Sequence, residues 1–130
     1  MNLIQEDILP RQLAFRMTLL IAWRLQTPQN IAVIYRDPDH HKEIRQEILA
    51  EINSVPDWVR PKTVESNKDR IRTDFGSSIV FLPPRPERFR GMTVNSILWP
   101  QSLPISEDVR GMAHVILHST NGTLIKYGDL

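Results

Sequence analysis

An uninterrupted apolar run, followed by an amphipathic helical pattern, is the feature that most constrains the fold of this chain. Residues 31–35 read Ile-Ala-Val-Ile-Tyr, without a charged side chain. Such a strand is stable where both of its faces are covered, as in the middle of a parallel sheet. After this run in the sequence, apolar residues recur with the period of a helix that buries one face, at Ile44, Ile48, Leu49 and Ile52. A strand followed by a helix predicts an α/β fold with a mainly parallel sheet.

The remaining segments extend this pattern into a three-layer sandwich. Helices are predicted at 13–26, 40–53 and 106–112, and strands at 3–9, 31–35, 63–65, 70–73, 78–82, 94–99 and 114–118. The first two helices are expected to pack on a sheet whose parallel core includes strands 31–35, 94–99 and 114–118. Residues 74–77, Asp-Phe-Gly-Ser, predict a hairpin turn.

Length and composition limit the classes of function. A chain of 130 residues with 41% hydrophobic and 24% charged residues predicts one globular domain, spanning residues 1–130. Cysteine is absent, which excludes a disulfide framework and a thiolate nucleophile or metal ligand. The net charge of +1 argues against a dedicated polyanion binder. We expect no metal site, because His114 and His118, four residues apart on the predicted strand, would have Cα atoms about 13 Å apart.

Nothing in the hydropathy predicts a membrane segment. The longest apolar run, residues 17–23, is too short to span a bilayer. The acidic residues Glu6 and Asp7 stand where a signal peptide would carry basic ones. We therefore expect a cytoplasmic protein without membrane contact.

The segment between the first strand and the first helix resembles a degenerate phosphate-binding loop. It contains Arg11, Gln12, Leu13, Ala14, Phe15 and Arg16. A strand, a short loop and a helix form the layout of such a loop. The segment is similar to the RQLGKT-like Walker A motif in the large terminases of tailed phages, particularly those of the T-even type.

Further matches follow in the order of that family. They are a Pro-Asp segment at 56–61, an Asn-Lys turn at 67–68, a Gly-Ser-Ser-Ile hairpin at 76–79, and Arg90-Gly91 before an apolar strand. The stretch 115–122 is similar to the coupling motif of the family, an apolar strand that ends here in Ser119, Thr120, Asn121 and Gly122. The resemblance covers about Leu3 to Tyr127 and implies the P-loop-NTPase-like fold of a terminase ATPase domain.

The residues that carry chemistry in that family are replaced in this chain. Where the Walker A motif needs Gly, Lys and Ser/Thr, the sequence has Ala14, Phe15 and Arg16. The strand resembling Walker B leads through Trp99 into Pro100 and Gln101, where an Asp-Glu pair would hold Mg²⁺ and activate water. We therefore expect no ATP hydrolysis and no resident cofactor. Phe15, Trp99 and Pro100 are predicted to fill or border the space of phosphate and metal.

The resemblance, with these replacements, implies a non-catalytic phage or prophage protein of terminase origin with a link to DNA packaging. We expect a binding or structural module whose partner is a phage protein or a second copy of the chain. The length leaves no room for the nuclease domain of a large terminase, so no nuclease activity is expected. One alternative is a nucleotide sensor or residual ATPase that uses Arg11 and Arg16, and another is a decayed terminase fragment.

Three arginines are candidates for contact with an anion, namely Arg11, Arg16 and Arg90. A basic strip at Arg85, Arg88 and Arg90 is interpreted as a solvated loop, so nucleic-acid binding is expected to be weak at best. The C-terminal tail 124–130 and the turn at Phe75 are predicted near a partner contact, because Leu124 and Ile125 look uncovered.

Overall fold

The computed structural model describes residues 4–25, 29–54, 63–73 and 77–129. For residues 19–25, 64 and 65 it describes the backbone but not the side chains. The sheet has seven strands, in the order β1-β7-β6-β2-β5-β4-β3. The strands are β1 Ile4–Leu9, β2 Asn30–Ile34, β3 Thr63–Ser66, β4 Arg70–Thr73, β5 Ser78–Leu82, β6 Ser96–Pro100 and β7 Thr123–Tyr127. The helices are α1 Arg11–Leu25, α2 Pro38–Asn53 and α3 Glu107–His118, with a short 3₁₀ helix at Pro86–Phe89.

The sheet is parallel except at one side. Strands β1, β7, β6, β2 and β5 run parallel, whereas β4 pairs antiparallel with both β5 and β3. Strand β2 lies between β5 and β6, and its residues Ile31–Ile34 are all buried. The expected central strand and the expected parallel core at 94–99 are confirmed. The predicted hairpin turn, including Phe75, falls on residues 74–76, outside the described residues.

Helices cover both faces of the sheet. On one face α1 and α2 pack over a cluster that includes Phe15, Val33, Ile44, Ile48 and Tyr127. On the opposite face α3 and the 3₁₀ helix cover a cluster that includes Ile34, Phe89, Ile97, Trp99 and Leu117. The predicted three-layer α/β sandwich is therefore confirmed.

Helix α2 is set by its cap and by its buried face. The Asp37 side chain accepts a hydrogen bond from the His40 backbone N–H at 2.8 Å, and Pro38 follows it in the first turn. Ile44, Ile48 and Ile52 then recur on the face that packs against the sheet. The other face carries Arg45, Glu47 and Glu51, which reach neighbouring elements.

The predicted strand at 114–118 is wrong, because these residues form the second half of α3. Ser106 caps that helix by accepting from the Val109 backbone N–H at 3.2 Å. The buried residues follow a helical period, at Val109, Ala113, Ile116 and Leu117, whereas Val115 in the middle of the run is 71% exposed. His114 and His118 therefore lie one turn apart on an exposed helix face, and the strand spacing that we used to exclude a shared metal does not apply.

The last strand of the sheet is β7, in the segment that we treated as a tail. Leu124 and Tyr127 are fully buried, and β7 pairs with β1 on one side and β6 on the other. Ile125 is partly buried against the α1–α2 cluster. The prediction that Leu124 and Ile125 form an uncovered surface is wrong, because both belong to an internal strand.

Candidate functional site

The carboxyl ends of the parallel strands form the edge of the sheet where α/β proteins bind ligands. Here a cleft of about 580 Å³ lies between α1, α2 and the end of β7. It is lined by Pro10, Arg11, Gln12, Glu43, Glu47, Gly128 and Asp129. We call it the strand-end cleft. It contains the position at which the sequence resembles Walker A, so it is the candidate functional site.

The connection between β1 and α1 is very short. Strand β1 ends at Leu9 and α1 begins at Arg11, which leaves Pro10 alone between them. The Ala14 backbone N–H already donates to the Pro10 carbonyl at 2.9 Å as part of the helix. A phosphate-binding loop surrounds its ligand with several free backbone N–H groups. In this chain the corresponding segment is wound into α1 from its first residue.

Phe15 does not border an open phosphate site. Its side chain is 1% exposed and packs between α1 and the sheet, with its ring centroid 5.3 Å from that of Tyr127. Ala14 beside it is also fully buried. The expected position of Phe15 is thus corrected: the ring belongs to the core below the helix, because α1 turns this residue toward the sheet.

Arg11 and Arg16 both point to carboxylates of α2. Arg11 Nη2 lies 2.8 Å from Glu43 Oε1 and 2.7 Å from Glu47 Oε1. Arg16 Nε lies 3.1 Å from Glu51 Oε2, and this contact raises the pKa of the Arg16 guanidinium. Both cations proposed as anion contacts are therefore neutralised by α2 and tie it to α1.

The strand-end cleft is lined by more acidic than basic groups. Glu43, Glu47 and Asp129 line it, against the one cation Arg11. Burial raises the pKa of Glu47, whose Oε2 is buried without a partner within the described residues. An environment of this sign repels phosphate and suits a cation better.

The end of β6 does not bring a carboxylate into the cleft. Trp99 is 1% exposed and belongs to the α3 side of the sheet, with its indole N–H donating to the Leu103 carbonyl at 2.9 Å. Phe15 and Trp99 thus lie on opposite faces, and the prediction that they fill one space is wrong. Pro100 pairs with Tyr127 in β7, and the Gln101 N–H donates to the Tyr127 carbonyl at 2.9 Å.

Asp129 supplies the carboxylate that lies deepest in this region, and we did not predict it. Its side chain is completely buried and accepts from the Ser102 backbone N–H at 2.8 Å and from the Ser102 hydroxyl. Arg36 Nε lies 3.2 Å from it, so the charge is compensated. An Asn-Gly turn followed by alternating apolar and polar residues at 123–127 is the sequence signal of a last strand. Recognising that strand would have placed Asp129 at its carboxyl end.

Buried aromatic and imidazole rings form the floor beside Asp129. The Tyr127 hydroxyl donates to the Ile34 carbonyl at 2.5 Å, and burial raises the pKa of this phenol. The His40 ring stacks on Tyr127, with ring centroids 6.1 Å apart. Burial lowers the pKa of His40, whose Nδ1 accepts from the Arg36 backbone N–H at 3.0 Å while Nε2 has no partner in the described ranges.

The coupling-motif-like residues lie at the other end of the sheet. Ser119 caps α3, Asn121 has a positive φ of 55°, and Thr123 begins β7 opposite Ser96, the first residue of β6. The Thr120 hydroxyl donates to the Val94 carbonyl at 2.7 Å. The expected strand end is wrong here: this segment, including Gly122, is the α3–β7 connection. The strand that follows α3 ends instead at Tyr127, directly before Gly128 and Asp129.

Arg90 is not brought to the strand-end cleft either. It is exposed and follows Phe89, which packs on the α3 side of the sheet. Arg85 and Arg88 are exposed on the same segment, in agreement with a solvated loop. The three candidate anion contacts therefore do not form one site.

Two negative findings apply to the described residues. Within the ranges 4–25, 29–54, 63–73 and 77–129, no group of three His, Asp or Glu side chains is arranged to hold a metal ion. In the same part of the chain, no helix has the length and apolar character needed to cross a membrane.

Comparison with known proteins shows a similarity of structure but none of sequence. No protein-family model matches the sequence, and no curated protein matches it. Among solved structures, the chain is similar to the large terminase from the thermophilic bacteriophage D6E, with a TM-score of 0.62 and 8% sequence identity. The match covers 88% of this chain and 29% of that terminase. The similarity establishes the fold: an α/β sandwich with a mainly parallel sheet, like that of the matched part of the terminase.

Proposed function

We propose that this chain is a terminase-related phage protein that acts without hydrolysing ATP, as a binding or structural module. The fold match to a phage large terminase supports the origin. The chain spans 29% of the length of that protein, so the activities of a whole terminase are not assumed for it. Its localisation in the cytoplasm of the host cell and a link to DNA packaging belong to the same proposal.

The observation that carries the proposal is the burial of Phe15 in a segment wound into α1. In place of a Lys that would meet phosphate, an aromatic ring packs against Tyr127 under the helix. A nucleotide at this junction would also face the carboxylates of Glu43 and Glu47. Phosphoryl transfer needs cations and a metal at these positions.

The alternative of a sensor or residual ATPase requires Arg11 and Arg16 to contact nucleotide. Their ion pairs with Glu43, Glu47 and Glu51 would have to break first. A decayed fragment that folds without a partner is the remaining alternative. A phosphate-release assay tests the first alternative, and a search for partners tests the second.

The test of the enzymatic part is a phosphate-release assay with ATP and Mg²⁺. We expect no turnover above that of a matched blank, and none for Arg11→Gln. Turnover by the unmodified protein that Arg11→Gln abolishes would overturn the proposal and establish the ATPase alternative. Phe15→Lys is unsuitable as a restoring variant, because it places an ammonium in the core.

The partner is proposed to be another phage protein or a second copy of the chain. Leu13 and Met17 lie one turn apart on α1 and are 43% and 42% exposed, so apolar surface is present on that helix. Light scattering measures the mass in solution, and a pull-down from infected cells identifies a heterologous partner. A monomer that captures no phage protein would leave the decayed-fragment alternative.

A further inference from the structure

A second cavity lies at the same edge of the sheet, outside the strand-end cleft. It has a volume of about 450 Å³ and is lined by Pro38, His41, Lys42, Arg45 and Lys68. We call it the α2–turn cavity, because it lies between the first half of α2 and the turn that joins β3 to β4. Its lining contains no carboxylate.

The turn is held rigidly against the helix. The Asn67 side-chain oxygen accepts from the backbone N–H groups of Asp69 at 2.9 Å and Arg70 at 3.0 Å, which closes the turn locally. The Arg45 guanidinium donates to the Asn67 carbonyl at 2.9 Å and to the Ser66 hydroxyl at 2.8 Å. His41 Nε2–H donates to the Lys68 carbonyl at 2.7 Å. The backbone of Lys68 is therefore fixed beside α2.

Within the described residues, the cations of this cavity are not paired with carboxylates as Arg11 and Arg16 are. Arg45 donates its hydrogen bonds to a carbonyl and a hydroxyl, and it forms no ion pair in that part of the chain. Lys42 and Lys68 are exposed, and neither makes an ion pair within the described ranges. Asp69 is close enough to act on His41 but does not line the cavity.

We propose that the α2–turn cavity binds a phosphate group, with Lys42, Lys68 and Arg45 as its ligands. Ammonium groups on flexible stems contact phosphate oxygens as point charges, and a guanidinium adds directed donors. The His41 ring lies flat on Tyr35, with centroids 4.2 Å apart, and with Pro38 provides a non-ionic wall. The cavity is large enough for more than one phosphate. The net charge of +1 attracts polyanions only weakly, so affinity comes from these three side chains.

This inference goes beyond the proposed function and does not depend on it. The site lies apart from the β1–α1 junction, and its lining contains no carboxylate that could hold Mg²⁺. Binding at the α2–turn cavity is therefore compatible with the absence of ATP turnover.

The experiment is a titration with inorganic pyrophosphate, followed by the backbone amide signals of the ¹⁵N-labelled protein. We expect saturable shifts at residues 41–45 and 67–70, with a Kd in the millimolar range or below. The variant Lys42→Gln/Lys68→Gln is expected to weaken binding by about tenfold or more. The matched control, Arg85→Gln/Arg88→Gln, removes the same charge from exposed positions elsewhere and is expected to bind within about twofold of the parent.

The variants test whether phosphate binds and where it binds. No saturable shift at 41–45 and 67–70, or an equal loss of affinity in both double variants, overturns the proposal. Arg11→Gln should leave these shifts unchanged, and their loss in that variant would place the phosphate in the strand-end cleft instead.

Three further titrations identify the source of the phosphate. ADP without Mg²⁺ represents a nucleotide, and a short oligothymidylate represents a nucleic-acid backbone. If either one binds the same residues more tightly than pyrophosphate does, the proposal is supported and the source of the phosphate is identified. A glutamate-rich peptide tests carboxylates. If that peptide binds these residues more tightly than pyrophosphate does, phosphate is not the ligand.

Discussion

At the scale of single residues, the candidate site consists of side chains that contact other parts of the same chain. Phe15 is a core residue, Arg11 and Arg16 are ion-pair partners of α2, and Asp129 is a buried carboxylate held by Ser102 and Arg36. Each of these contacts stabilises the folded chain. The residues of the candidate site thus contribute to the stability of the fold.

Phe15→Ala is expected to destabilise the protein by about 3–5 kcal/mol, because it leaves a cavity under α1 next to Tyr127. Urea denaturation measures the free energy of unfolding. Leu13→Ala is the control on the same helix: its side chain is 43% exposed, and we expect a cost below about 1 kcal/mol. Equal costs in the two variants would contradict the placement of Phe15 in the core.

Stability is expected to fall as the pH decreases from about 7.5 to 5.5. Burial lowers the pKa values of His40 and His41 below the ordinary 6.5, so the unfolded chain takes up protons first. The stabilisation is complete above the unfolded pKa and is lost as the pH falls toward the folded one. Denaturation curves should show a smaller pH dependence for His40→Gln.

His114→Gln is the control for this pH effect, because His114 is exposed on α3. It should keep the pH dependence of the parent. If His40→Gln and His114→Gln behave alike, the neutral state of the buried imidazole is not the cause.

At the scale of elements, the connection between α3 and β7 decides the register of the last strand. Asn121 adopts a positive φ, and the Gly122 N–H donates to the Leu117 carbonyl at 3.0 Å, which ends the helix. Thr120 ties the same segment to Val94. The turn therefore places β7 directly beside β6.

Gly122→Ala is expected to destabilise the protein by about 1–3 kcal/mol. A Cβ there would lie 2.4 Å from the Asn95 backbone carbonyl oxygen and 2.9 Å from Leu117 Cδ2, so the backbone has to move. The control is Gly111→Ala within α3, where a Cβ meets nothing within 4 Å. That substitution should stabilise by about 0.5–1 kcal/mol through helix propensity. Thermal unfolding of both variants would reveal the opposite signs, and a neutral Gly122→Ala would contradict the close approach.

At the scale of the whole molecule, the sheet order places strand β2 at the centre. Its backbone pairs with β5 and β6, and its side chains are buried on both faces. Strands β1 and β3 form the two edges. This order predicts a gradient of local stability from the centre to the edges.

Hydrogen exchange is expected to be slowest for the amides of residues 31–34 and 97–99, and faster by orders of magnitude in β1 and β3. Exchange followed by NMR measures this gradient residue by residue. Protection of β1 equal to that of β2 in the monomer would contradict the strand order. Protection of β1 that grows with protein concentration would show a second copy covering that edge.

Local sequence patterns were enough to predict the α/β architecture. The β-branched run at 31–35 predicted a central strand, and the period of Ile44, Ile48 and Ile52 predicted α2. Both signals are strong because burial on two faces or on one helix face requires a specific spacing of apolar residues. The α/β class follows from these two elements.

The fold of residues 106–129 and the composition of the site depend on long-range contacts that local patterns do not contain. The run 114–118 is apolar enough for a strand, but the Ser106 cap and the long-range pairing of 123–127 with β1 and β6 make it helical. The sides taken by Phe15 and Trp99, and the carboxylates of α2 that neutralise Arg11 and Arg16, depend on contacts between residues far apart in sequence. Spacing along the chain carries no information about such contacts, because they form only when the layers pack.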